Sequence, residues 1–581
     1  MRNKKRFVKS FLTKTMLWAA FATLNYNPAI ADEYTINNFN DLSSALNSGS
    51  FGDILNPSQL QTGDNVILGG SITANSSIKV AVNNVTINGG GDNLYVYSAT
   101  TTNSIDGLIT GVGTNIENIN MQGFNNAIVV NSGNTLNFSN SLLTGNNTGI
   151  LNNGTTNISN VSITDGITNN SELNFSGDNN ITDLNSKGAV SNSGNLILTN
   201  ADVQGSYTQT SGSLGVVGET NFSDSNTNIS GGSFAIGNTT GDSASLAFNG
   251  TIEEGTQLTV NSGSTFTNKG NVTLNNNDTL DGSFKQSTGT LNLQGATTTN
   301  GNLSLDGGDV NVTGNQTLIG GDTIGSGVDL TVDATLTNNG GTINLNNGDK
   351  IESTGSISQT SGVINADNFS TTESGGSLQA SGGSLNISSG GLTLNNANDN
   401  IADDATVNMN GNLTLNNGSI TLNTGDNLGK GTISQSGGNL TISEISTGSA
   451  TLNSTGGNLT LDGATIEGND TIAGAVNTTI GTNGVTILNT SADGIILNNG
   501  DTINGTVNQQ GGNLSLAGVT TNGKLNSTGG DVNVTGNQTL TGTDTIGSDV
   551  DLTVGATLTN NGGTINLNNG DKIESAGSIS Q

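Results

Sequence analysis

The sequence predicts an all-β chain: a right-handed parallel β-helix (β-solenoid) with a short N-terminal cap. Three observations carry that expectation. Short apolar alternations are separated by Gly/Asn turns. The text repeats with a period of about 74 residues. Proline is absent after Pro57.

The alternations come first. Pieces such as "TINLNNG" and "LTVDATL" hold two or three apolar residues at period two, the spacing of a strand with one buried face. Gly and Asn follow them, and both tolerate the left-handed backbone of a sharp corner. The composition (86 Gly, 31% hydrophobic, 10% charged, 3% aromatic) also fits disorder. The regular Leu, Ile and Val placement argues against it. Strands this short cannot bury a face alone, so they must stack.

The repeat comes second. A Gln before a Gly-rich step recurs as "QTSGSL" at Gln209, "QSTGTL" at Gln286, "QTSGVI" at Gln359, "QSGGNL" at Gln435 and "QGGNL" at Gln510, with a last Gln581. An Asp after "LNNN", "LNNG" or "LNTG" keeps the same beat at Asp278, Asp349, Asp426, Asp501 and Asp571. Residues 308–359 match residues 530–581 at 47 of 52 positions, an offset of 222, or three units. Fixed-period self-similarity marks a solenoid or array. At about 20 residues per coil, each unit is three or four coils.

The missing proline comes third. In a stack, each rung pairs with the rungs above and below, and a residue without an N–H breaks that ladder. Asn, Thr and Ser recur at equivalent places, where like side chains bond along the axis.

Organisation follows from these signals. Residues 1–31 read as a secretory signal: a basic stretch with Arg2, Lys4, Lys5, Arg6, Lys9 and Lys14, then "MLWAAFATL", then "AIA". Cleavage is expected between Ala31 and Asp32. The apolar core is too short for a membrane span. Residues 32–65 form the cap, with a short helix N-capped by Asn40 and facing inward through Leu42, Ala45 and Leu46. Residues 66–207 are irregular β-helix coils. Residues 208–581 are the array of ~74-residue repeats, expected to be truncated at its C-terminus.

Charge and composition exclude some functions. The chain carries −31 overall. No acid precedes Asp32, so residues 32–581 set 45 acids against 8 lysines, a net −37. That part has no Arg, His, Trp or Cys. Such a surface repels nucleic-acid phosphates and lacks the usual reader of guanine. Stability rests on packing and backbone pairing, with no disulfides.

The basic leader, Cys-free body and Gly/Asn/Thr-rich β repeats together resemble the passenger region of large Gram-negative autotransporter adhesins. The stretch "SITANSSIKVAVNNVTINGGG" is also similar to the opening coils of right-handed β-helix proteins, which include pectate-lyase-like enzymes. The resemblance spans most of the chain but rests on composition and period. The family's membrane barrel and its short Gly-Thr-rich transport repeat have no counterpart here. It implies a surface-exposed or released rod used in adhesion, aggregation or biofilm contact.

Candidate chemistry is sparse. Glu253–Glu254 and Asp403–Asp404 are the paired acids, and neighbours in a strand point to opposite faces. Hydrolysis of sugars needs carboxyls about 5–10 Å apart on one face. Sugar platforms would have to come from Tyr34, Tyr95, Tyr97 or Tyr207. Asp349 and its equivalents lie a unit apart and read as turn residues bonding their own backbone, not as shared Ca²⁺ ligands.

The expected function is therefore a non-catalytic exported adhesin or adhesive stalk, with no cofactor, metal or catalytic residues assigned. It is expected at the cell surface, on the outer membrane or outside the cell. Expected partners are a host or neighbouring-cell surface, a glycan or extracellular matrix, or other copies, with no nucleic acid and no membrane span. The alternatives are a secreted polysaccharide-active β-helix enzyme (lyase or hydrolase) and a structural spacer array for a separate binding domain.

Overall fold

Alternating burial builds each strand here. In Asn513–Ala517, Leu514 and Leu516 are buried while Asn513, Ser515 and Ala517 are partly exposed. A computed structural model describes residues 33–48, 60–95, 104–237, 242–298, 301–489 and 494–581. The leader with Ala31 and Asp32, together with Tyr97, lies outside these residues. The chain is nearly all β, with 56% strand and 2% helix. The strands stack in parallel coils as a β-solenoid. The chain divides into two compact units, residues 1–238 and 239–581.

Unit 1 opens with strand Glu33–Ile36 and helix α1, Phe39–Ser48. Leu42, Ala45 and Leu46 are fully buried on one face of α1. The N-cap is Asn38, not Asn40. The Asn38 Oδ1 accepts the Asp41 N–H at 2.9 Å, two residues upstream of the expected cap, and Asn40 lies within the helix. The carbonyl of Leu46 accepts the Ala81 N–H at 2.7 Å, which ties α1 to the coil bearing Ile78–Lys79. From Asn115 onward, partners in adjacent coils lie 17–22 residues apart, as in Asn115↔Asn137 and Thr155↔Glu172.

Unit 2 repeats a coil of three strands. Asn302–Leu305, Gly308–Val312 and Gln316–Ile319 make one coil. Thr323–Ile324, Val328–Val332 and the first half of Thr335–Leu345 lie directly on it. We name the three rows faces I, II and III in that order. Thr335–Leu345 and Ser356–Ala366 each run on from face III to face I, with a register shift at the bend near Asn338 and Asn339. Single bridges at Asn427 and Ser446 hold two places on face I.

Inside, Leu, Ile, Val and Phe fill a narrow core. Phe248, Phe266 and Phe284 stack edge to face, with centroids 5.8 and 5.0 Å apart. Such pairs add about 0.5–1.5 kcal/mol beyond their burial.

Candidate functional surface

The recurrent Gln is a structural clamp. Gln286, Gln359, Gln435 and Gln509 are buried at strand ends. Each donates its amide to two carbonyls. Gln359 Nε2 reaches Gly362 O and Ser384 O, both at 3.0 Å. Gln509 Nε2 reaches Gly512 O and Asp531 O, both at 3.0 Å. Gln286 and Gln435 make the matching pairs to Gly289 and Asp309, and to Gly438 and Asn458.

The marker is therefore Gln-x-x-Gly. The member expected at Gln510 is Gln509, because only Gln509 has Gly three residues on and points inward. That Gly must be Gly. Gly362 has φ +81°, and a Cβ there would sit 2.4 Å from the carbonyl oxygen of Gly341.

The recurrent Asp is a corner staple. Asp349 Oδ2 accepts the Asn346 N–H at 2.8 Å, and its Oδ1 accepts the Leu330 N–H of the preceding coil, also at 2.8 Å. Asp278, Asp322, Asp399, Asp426, Asp470, Asp501, Asp544 and Asp571 each make the same two bonds. The sequence marker thus found five of nine. The other four follow different residues, as in "LIGGD" and "IEGND", but share the Asp-x-Ile core. Burial pushes the carboxyls of Asp278 and Asp349 up to about 6, against the pull of their two N–H donors. Two staples also accept a Thr hydroxyl: Thr371 to Asp399 at 2.5 Å and Thr447 to Asp470 at 2.6 Å.

The outward side chains form rows. In unit 1, Asn115, Asn137, Asn157 and Asn174 pass amide hydrogen bonds up successive coils at 2.7, 2.7 and 3.0 Å, and Ser191 caps the row. In unit 2, Asn344, Asn365, Asn386 and Asn408 do the same on face I at 2.8, 2.8 and 3.0 Å. Asn439, Asn458 and Asn477 do so on face III, beside a register-matched column of Thr441, Thr460 and Thr479. Ladders of this kind present hydroxyl and amide groups at coil spacing, about 4.8 Å.

The paired acids are placed differently from the expectation. Glu253–Glu254 and Asp403–Asp404 are exposed turn residues, so strand alternation does not separate them. Asp403 instead accepts the Asn423 amide at 2.7 Å. Tyr95 is half-buried on a short strand, and Tyr207 is buried, its hydroxyl donating to Gln209 at 3.0 Å. Among the described residues, no three of His, Cys, Asp and Glu are grouped to hold a metal ion. An open groove of about 610 Å³ runs past Asp426, Asn427, Lys430, Ser446 and Thr447, where the single bridges replace strands on face I. No described helix is long and apolar enough to cross a membrane.

No family model matches this chain. No curated protein matches it either.

Proposed function

We propose that this chain is an exported, non-catalytic stalk or adhesive surface of a Gram-negative-type cell. The outward rows of Asn, Ser and Thr carry that proposal, because side chains held in register by their own hydrogen bonds present a repeated polar surface with little left to order on contact. Its partner is a polar, extended surface: a glycan coat, extracellular matrix or another cell. The acidic balance disfavours nucleic acid. The passenger region of an autotransporter adhesin is the family whose composition and period it shares.

Two measurements test this. Beads coated with residues 32–581 should bind cells or a glycan array well above beads coated with an unrelated protein of equal charge. Equal binding by both would sink the adhesive reading and leave a spacer. Chain recovered from the medium or outer surface of an expressing cell should begin at Asp32. Retention in the cytoplasm with Met1 intact would remove the exported role.

A further inference from the structure

The repeat and the coil are out of step, and the mismatch has a rule. In unit 2 the clamp residue lies on face I at Gln286, face III at Gln359, face II at Gln435 and face I again at Gln509. Eleven strand positions separate each clamp from the next, counting the two bending strands twice and the bridges at Asn427 and Ser446 once. Eleven strands on a three-faced coil are three coils and two thirds.

The Asp staples obey the same rule. The strands they precede start at Thr279, Thr323, Lys350, Asn400, Asn427, Thr471, Thr502, Thr545 and Lys572. These are spaced alternately seven and four strand positions apart, and they visit faces III, I and II in turn. Three units are eleven whole coils. The duplicated text accordingly returns to its own faces: Gly308–Val312 and Gly530–Gly536 both lie on face II, with Asp309↔Asp329 and Asp531↔Asp551 in the same register.

We propose that the 74-residue unit is an angular register. Adding or removing one unit turns everything C-terminal to it by one face, a third of a turn, and only multiples of three units restore the facing. The text of a unit is therefore interchangeable among faces, as the identical bonds of Gln359 on face III and Gln509 on face I require. This holds whether or not the surface is adhesive. Its consequence is that unit number sets the direction in which any later feature points.

The chain has no Cys, so a disulfide can read the facing. Removing residues 435–508 joins Ser434 to Gln509. The strand Asn513–Ala517, now on face II, should then lie on face III beside Ser419–Leu422, in the register Thr421 now shares with Thr441. Thr421→Cys and Ser515→Cys would then sit about 4.8 Å apart, within disulfide reach. In the full-length chain the same two positions are fourteen strand positions apart, on different faces, about 22 Å along the stack.

Mild oxidation should cross-link most of the shortened double variant and almost none of the full-length one. A folded shortened chain that does not cross-link overturns the rule. So does a shortened chain that fails to fold while removal of residues 286–508, three whole units, leaves a folded coil: the text would then be bound to its faces. Loss of folding in both deletions overturns it as well.

Discussion

Units 1 and 2 fix their corners with different side chains and different turns. Unit 1 uses residues in the left-handed backbone region: Asn84, Asn118, Asn140, Asn160, Asp183 and Asn200, with φ of 51–57°. Among them Asn118, Asn140 and Asn160 stack coil on coil, and Asn160 donates to Asn140 Oδ1 at 3.3 Å. Among the described residues of unit 2, only Asn368 and Glu444 are non-Gly residues of this kind. Comparable bends there are taken by Gly463 and Gly518, and the nine Asp staples close two-residue turns.

The difference is electrostatic. A neutral Asn corner can recur at every coil. A buried carboxylate cannot, because a like charge one coil away raises the free energy of both. In unit 2 the staples on any one corner are five or six coils apart, roughly 24 Å or more, against about 4.8 Å for neighbouring coils. A repeat of eleven strands with two staples achieves this. The long period of unit 2 thus keeps its charged turns apart.

The largest test of the contrast is Asp399→Ala in unit 2. It strands the N–H groups of Leu378 and Asn396 and the Thr371 hydroxyl. The expected loss is about 3 kcal/mol, since each buried orphan costs about 1–3 kcal/mol. Hydrogen exchange should show it at Leu378 and Asn396, with unit 1 unchanged because coil contacts are nearest-neighbour. Unchanged protection would show that the staple is incidental.

The counterpart in unit 1 is Asn160→Val, which forces a β-branched residue to φ 57°. It should cost roughly 1–2 kcal/mol of backbone strain, while Asn160→Gly should lose only the exposed bonds to Asn140 and Asp178 and cost less. Equal effects from Val and Gly would remove backbone conformation as the reason for Asn.

Acid should separate the units further. Asp278 and Asp349 have folded-state values raised to about 6 by burial, above the ordinary 3.8. Between about pH 4 and 6 the folded chain therefore holds more protons than the unfolded one, and stability falls as pH rises through that window. Unit 2 amides should be better protected at pH 4.5 than at pH 7, after correction for intrinsic exchange, and Asp278→Asn with Asp349→Asn should flatten the difference. A rise in protection with pH would reverse the assignment.

The smallest effect is expected at the surface. Asn157→Ala breaks two outward amide bonds and should cost about 0.5 kcal/mol. A loss above 2 kcal/mol would mean the rows hold the coil together rather than decorate it.

Much of this was legible in the sequence. Period-two burial and the inward face of α1 follow from apolar spacing, and the parallel stack follows from the repeat, the missing proline and the recurring Asn, Thr and Ser. The Gln and Asp markers gave the unit, but not its content. Its coil count is not whole, because polar markers report a bonding pattern that works on any face. Asn38 and Asn40 offer the same capping chemistry, and only the helix start decides between them. Turns of two acids leave no distinct signature, so the carboxylate pairs look like strand neighbours in the sequence.

One feature of the staples reaches beyond the folded state. Every Asp ties an N–H that was synthesised 18–23 residues earlier, and every clamp Gln waits for a carbonyl 22–25 residues later. A lap emerging into solvent is left open only until its successor arrives. The unfinished stretch thus stays one lap long however many laps precede it, so a growing thread of this kind can set behind its moving tip without ever holding a large unfolded mass.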